Sequence, residues 1–182
     1  KLIEIDLQIK QLNFMIKDQS IKALLSILFT LVSIITYAQK KEFSSLNKHI
    51  PKGHKLIETI KGDLNSDGYE DVVLILQSIN RKNIKTDEFR GKLDLNRKGL
   101  VILFRKGNEF ELILENRDCF SSQDEYSGAY IPPELWIEIK NGNLFIKHGQ
   151  GANGFWYYTF RYDKSNFELI GYDTGYKTEL NF

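Results

Sequence analysis

Two runs, Val72-Val73-Leu74-Ile75-Leu76 and Leu100-Val101-Ile102-Leu103-Phe104, are apolar at every position, and they limit the fold more than any other feature of the chain. A strand with one wet face alternates apolar with polar residues, so an unbroken apolar run must be covered on both sides. The rest of the chain beyond the first forty or so residues is also written in strands: short segments rich in β-branched and aromatic residues, bounded by turn formers. We expect strands at His54–Ile60, Asp71–Gln77, Gly99–Arg105, Phe110–Glu115, Leu135–Lys140, Leu144–His148, Phe155–Tyr162 and Phe167–Tyr172. Tight-turn signals join several of them: Lys106-Gly107-Asn108, Asn141-Gly142, which suits a type I′ turn, and Asp163-Lys164-Ser165-Asn166. Neighbours joined that closely run antiparallel. The expected fold is mainly β, an antiparallel meander or compact sandwich of about eight strands with the two aliphatic runs at its centre.

The front of the chain follows a different rule. Met15 opens a short segment carrying Lys17 and Lys22, and Ala23 to Ile35 reads ALLSILFTLVSII, within the roughly 7–15 residues of a signal-peptide apolar region. Thr36-Tyr37-Ala38 places small residues at −3 and −1, which predicts cleavage before Gln39. Ala23 to Ala38 falls short of the roughly 18 apolar residues of a membrane span and includes Ser26, Thr30 and Ser33, so no stable span is expected after cleavage. The expected division is an upstream extension at 1–14 with translation beginning at Met15, a signal peptide at 15–38, and one β-rich domain at 39–182. Such a protein is exported, to a periplasmic or extracellular destination. Residues 1–38 carry four of the 25 basic and three of the 24 acidic residues, which leaves 21 of each in the mature chain. That balance gives no general attraction for nucleic acid or anionic lipid. The single cysteine, Cys119, rules out an internal disulfide and has no partner at zinc-ligand spacing.

Directly before the first aliphatic run stands GDLNSDGYED, with Asp63, Asn65, Asp67, Gly68, Tyr69 and Asp71 in the register D-x-N-x-D-G-x-x-D. Calcium takes six to eight oxygens at about 2.3–2.6 Å, and a loop delivers them from alternate positions only if it turns sharply in the middle. Gly68 permits the turn. Asp63, Asn65 and Asp67 offer side-chain oxygens, Tyr69 its carbonyl, and Asp71 closes the ring directly or through water. The register also opens an EF-hand loop, but the twelfth position is Leu74 rather than glutamate and a strand follows instead of a helix, which excludes that motif. The stretch resembles the calcium loop of FG-GAP and VCBS repeats, the integrin-type propeller blades, where the same register leads into an aliphatic strand. The resemblance spans about fifteen of the 182 residues and occurs once, and the chain is too short for a full propeller. With its export signal and aromatic C-terminal half, the layout is also similar to small exported bacterial proteins carrying one such loop. The resemblance implies a structural Ca2+ and a β domain, and no activity. An ion-free Asx-rich turn capping the strand is the competing reading.

Other motifs carry less chemistry. Gly149-Gln150-Gly151-Ala152-Asn153-Gly154 matches G-x-G-x-x-G, yet FWYYTFRY follows it as a strand where a dinucleotide site needs a helix. Ser78 to Lys98 holds seven basic and three acidic residues and reads as an exposed, solvated excursion. Tyr126, Tyr130, Trp136, Phe155, Trp156, Tyr157, Tyr158, Tyr162 and Tyr172 crowd the second half. Alternation sends Phe155, Tyr157 and Thr159 to one face and Trp156, Tyr158 and Phe160 to the other, and Trp156 with Tyr158 form a possible ligand platform for a sugar or peptide. His49, His54 and His148 have no metal-ligand spacing, and no nucleophile elbow is present. The sequence therefore points to an exported calcium-binding β module for an unknown protein or glycan ligand. A purely structural envelope protein and a small hydrolase are the alternatives.

Overall fold

The computed structural model describes residues 2–125, 134–149 and 154–175, with side chains from Gln19 onward. The chain forms two compact units, Lys1–Ser44 and Ser45–Phe182. The boundary falls a few residues beyond the expected cleavage point. The first unit is the greater part of one helix, α1 (Leu2–Asn47). The hydroxyls of Thr30, Ser33 and Thr36 donate to the carbonyls of Ile27, Phe29 and Val32 at 2.7–2.8 Å, so these three hydroxyls are satisfied inside the helix itself. The helical segment Gln19–Asn47 contains an 18-residue window of mean hydropathy 2.0 and is long and apolar enough to cross a membrane. The helix runs on past Ala38, so its length and composition suit a span as well as a signal sequence, and the length of Ala23–Ala38 alone does not separate the two.

The second unit is built of antiparallel strands, ten among the described residues: β1 (His54–Gly62), β2 (Asp71–Ser78), β3 (Ile84–Asp87), β4 (Gly91–Asp94), β5 (Lys98–Lys106), β6 (Glu109–Phe120), β7 (Glu134–Lys140), β8 (Asn143–Gly149), β9 (Phe155–Asp163) and β10 (Asn166–Gly175). They make a sheet ordered β1-β2-β5-β6, a second ordered β10-β9-β8-β7, and the small ribbon β3-β4. All eight expected strands are present, and among the described residues no closed barrel or propeller forms. At the β7–β8 hairpin, Asn141 and Gly142 both take positive φ, 51° and 70°, as a type I′ turn requires. The excursion from Ser78 to Lys98 is not featureless: it contains the β3-β4 ribbon, with Leu93 and Asn96 buried.

β2 is buried from Asp71 through Gln77 and β5 from Gly99 through Phe104. Their alternate residues feed two different cores. Val73, Ile75, Leu100, Ile102 and Phe104 meet Ile137, Leu144 and Ile146 of the second sheet, which makes the unit a sandwich. Val72, Leu74, Leu76, Val101 and Leu103 point the other way and pack with Leu46, Ile50, Leu56 and Phe110. The double cover demanded by the aliphatic runs is thus supplied by a sheet on one side and by the segment leading into β1 on the other. Leu46 and Ile50 both lie after Gln39, so cleavage there would leave this cover in place.

Candidate functional site

The acidic loop joins β1 to β2 and is closed by its own side chains. Asp63 accepts from the backbone N–H of Asp67 (3.2 Å) and of Gly68 (2.9 Å), Asn65 Oδ1 accepts from Asp67 N–H (3.0 Å), and Asp67 Oδ1 accepts from Tyr69 N–H (2.9 Å). The Asn65 amide also donates to Asp67 Oδ2 at 3.0 Å. Ser66 and Gly68 take positive φ, 61° and 85°, which folds the chain back on itself at the expected place. Asp63, Asn65 and Asp67 therefore sit within one turn and face the same loop, and Tyr69 is exposed.

Asp71 does something else. It is fully buried, its Oδ2 accepts from Leu64 N–H at 2.9 Å, and its Oδ1 accepts from Arg105 N–H at 3.0 Å, so it locks the loop and the start of β2 to the end of β5. Burial pushes its carboxyl above the ordinary range and the charge of Asp67 adds to the rise, while the backbone N–H donors oppose it. Among the described residues, no three His, Cys, Asp or Glu side chains converge as a metal-holding group. The donor set left in the loop is two carboxylates, one amide oxygen and the Tyr69 carbonyl. All are hard oxygens of the kind calcium takes, with Asp71 braced behind them.

A second feature lies between the sheets, where residues of both line a cavity of about 550 Å³. Leu100, Ile102 and Leu114 wall it on one side and Leu144, Ile146, Tyr158 and Phe160 on the other. Its polar residues are Arg97, Asn116, Cys119, Ser121 and His148. A bulge that includes Cys119 lies between Asn116 and Ser121: Lys98 pairs with Phe120 and Leu100 with Asn116, so residues 117–119 of β6 stand opposite Gly99 alone. A Cβ at Gly99 would collide with the backbone of Asn116 and Arg117, so only glycine lets the bulge close over β5.

Ser121 Oγ and His148 Nε2 are 3.3 Å apart. Burial, and secondarily the charge of Lys98, holds the His148 imidazole below its usual pKa and so favours the neutral ring. No carboxylate is among the described lining residues to orient that ring. Cys119 is exposed as a residue, but desolvation of its thiol by the surrounding wall raises its pKa, which keeps it protonated and a weak nucleophile. Arg97 is paired with Glu125 (3.3 Å), whose carboxylate also accepts from Ser122 N–H.

Trp156 and Tyr158 do share a face of β9, as alternation predicts, and both are half-buried and line this cavity. The rings on the outer face of the same sheet are others. Phe145 and Tyr157 stack with centroids 5.7 Å apart, and Lys147 lies over the rings of Trp136 and Phe155. Trp136 is 64% exposed, and sequence reasoning passed over it because a single tryptophan in an alternating strand carries no mark of which face is outermost. His148 and Ser121 were missed for a related reason: they are 27 positions apart and meet only because the sheets do. Gly149 ends β8, Gly154 has φ +100° and β9 begins at Phe155, so a strand follows the glycine motif. Gln150 to Asn153, Tyr126 and Tyr130 lie outside the described residues. No protein-family model, curated protein or solved structure matches the chain.

Proposed function

We propose that the protein is an exported binding module whose β unit is braced by a structural calcium ion in the Asp63–Asp71 loop, with a protein or glycan as its ligand. The observation that carries this reading is the coupling of the loop to the core. Asp63, Asn65 and Asp67 turn oxygens into one turn, and buried Asp71 ties that turn to Leu64 and to Arg105 at the end of a central strand. An ion held by the loop would neutralise the mutual repulsion of its carboxylates and stiffen the edge of the main sheet. Export is supported by the apolar N-terminal helix and by the retention of Leu46 and Ile50 downstream of Gln39. The bilayer, the periplasm and the medium are separated by mass analysis of the mature chain and by fractionation.

The test is a melting curve in chelator against one in millimolar calcium. Calcium at 100 times its dissociation constant adds about 2.7 kcal/mol of stability, and Asp67→Ala should abolish the gain. Superimposable curves for the unaltered protein would remove the calcium site.

A further inference from the structure

We infer that the cavity between the two sheets binds a small amphiphile, an aliphatic or aromatic body carrying one uncharged hydroxyl or carbonyl, with the polar group placed at Ser121 and His148. The inference goes beyond the binding-module reading: it adds a second site, for a ligand class other than a protein or glycan. At about 550 Å³ the cavity is within the range of small-molecule sites, about 300–1,000 Å³.

Its lining decides what fits. A polyhydroxylated ligand would set its hydroxyls against Ile102, Leu144 and Ile146, which offer no hydrogen bonds, and each such burial is costly. A purely apolar ligand would strip water from Ser121 and His148 without replacing it. A molecule apolar along most of its length and polar at one end meets both conditions. A charged end is disfavoured, because it would be desolvated beside a His148 ring that burial already holds neutral, the charge of part-exposed Arg97 is offset by Glu125, and no carboxylate is among the described lining residues. His148 and Ser121 together can donate to a carbonyl or both donate to and accept from a hydroxyl. The bulge opposite Gly99 lies just before Ser121, beside this polar end of an otherwise aliphatic and aromatic cleft.

The chain carries its own reporters, since it has two tryptophans, one in the cavity and one on the outer face. Trp136→Phe leaves Trp156 as the sole emitter, and Trp156→Phe leaves Trp136. Titration with 1-decanol, decanoate and decane, each as dissolved monomer, should give a saturable change in Trp156 emission and none in Trp136. Decanol should bind about tenfold more tightly than either of the others, and Ser121→Ala in the Trp136→Phe background should erase about that factor, the worth of one hydrogen bond. Melting of each variant checks that it is folded. Equal binding of decanol and decane, or no effect of Ser121→Ala in a folded protein, overturns the polar-end assignment and with it the ligand class. A silent Trp156 with all three probes overturns the site. If the same protein still retains an envelope glycan or protein, the binding-module reading survives that result, and if it retains neither, both fall.

Discussion

The two four-stranded sheets have the same strand number and the same antiparallel pairing, but they are composed differently. In the β1-β2-β5-β6 sheet the central strands are buried on both faces, and nearly every residue from Val72 to Leu76 and from Leu100 to Phe104 is fully out of water. In the β10-β9-β8-β7 sheet one face joins the shared core through Ile137, Leu144 and Ile146, and the other displays Trp136, Phe145, Lys147 and Tyr157. The number of layers around a sheet sets its composition: two covers demand aliphatic residues at every position, one cover demands them at alternate positions only. The consequence for the architecture is a division of labour. The first sheet supplies rigidity and anchors the acidic loop, and the second, with a face to spare and rings on both sides, supplies the half-buried wall of the cavity.

The sharpest way to break this comparison is Leu74→Ala. Leu74 is fully buried in the core on the far side of the first sheet, so its loss should cost about 2–5 kcal/mol in chemical denaturation. A cost under about 1 kcal/mol would mean that the far face is not a packed core.

A smaller effect belongs to Asp71 and depends on pH. Because burial raises its folded-state pKa, its favourable contribution is fully present below the ordinary carboxylate pKa and is lost as pH rises through the raised value. In chelator, the unaltered protein should therefore lose stability relative to Asp71→Asn as pH climbs out of the ordinary carboxylate range, and calcium should diminish that loss. A pH-independent difference would show that the carboxyl ionises as freely as in the unfolded chain.

The smallest effect should come from the second sheet's outer face. Trp136 is mostly exposed, so Trp136→Ala should change stability by no more than about 0.5 kcal/mol. A loss approaching that of Leu74→Ala would mean that both sheets are covered on both faces, and the contrast between them would disappear.

Much of this was legible in the sequence because strand signals are local. Eight strands, the Asn141-Gly142 turn and the positive φ at Gly68 follow from β-branched runs and from residues that tolerate left-handed backbone. The turn of the acidic loop was legible too, since Asp63, Asn65 and Asp67 bond to backbone within five positions, whereas the reach of Asp71 to Arg105 was not. The β3-β4 ribbon escaped because Lys, Asp and Gly are poor strand formers. The ribbon is held partly from outside, by Asp124 accepting from Asp94 N–H at 2.7 Å.

By itself, the sequence determined that VVLIL and LVILF needed cover on two faces, because the side-chain period of a strand is a property of consecutive residues. Only the tertiary structure decided what the cover is: the second sheet on one side, Leu46 and Ile50 on the other. It also decided which rings of β9 turn inward, since Phe155, Tyr157, Trp156 and Tyr158 are aromatic on both faces and alternation cannot choose between two equally apolar sets. The meeting of Ser121 with His148 was decided at the same level, by the packing of two sheets whose contacts are distant in the chain.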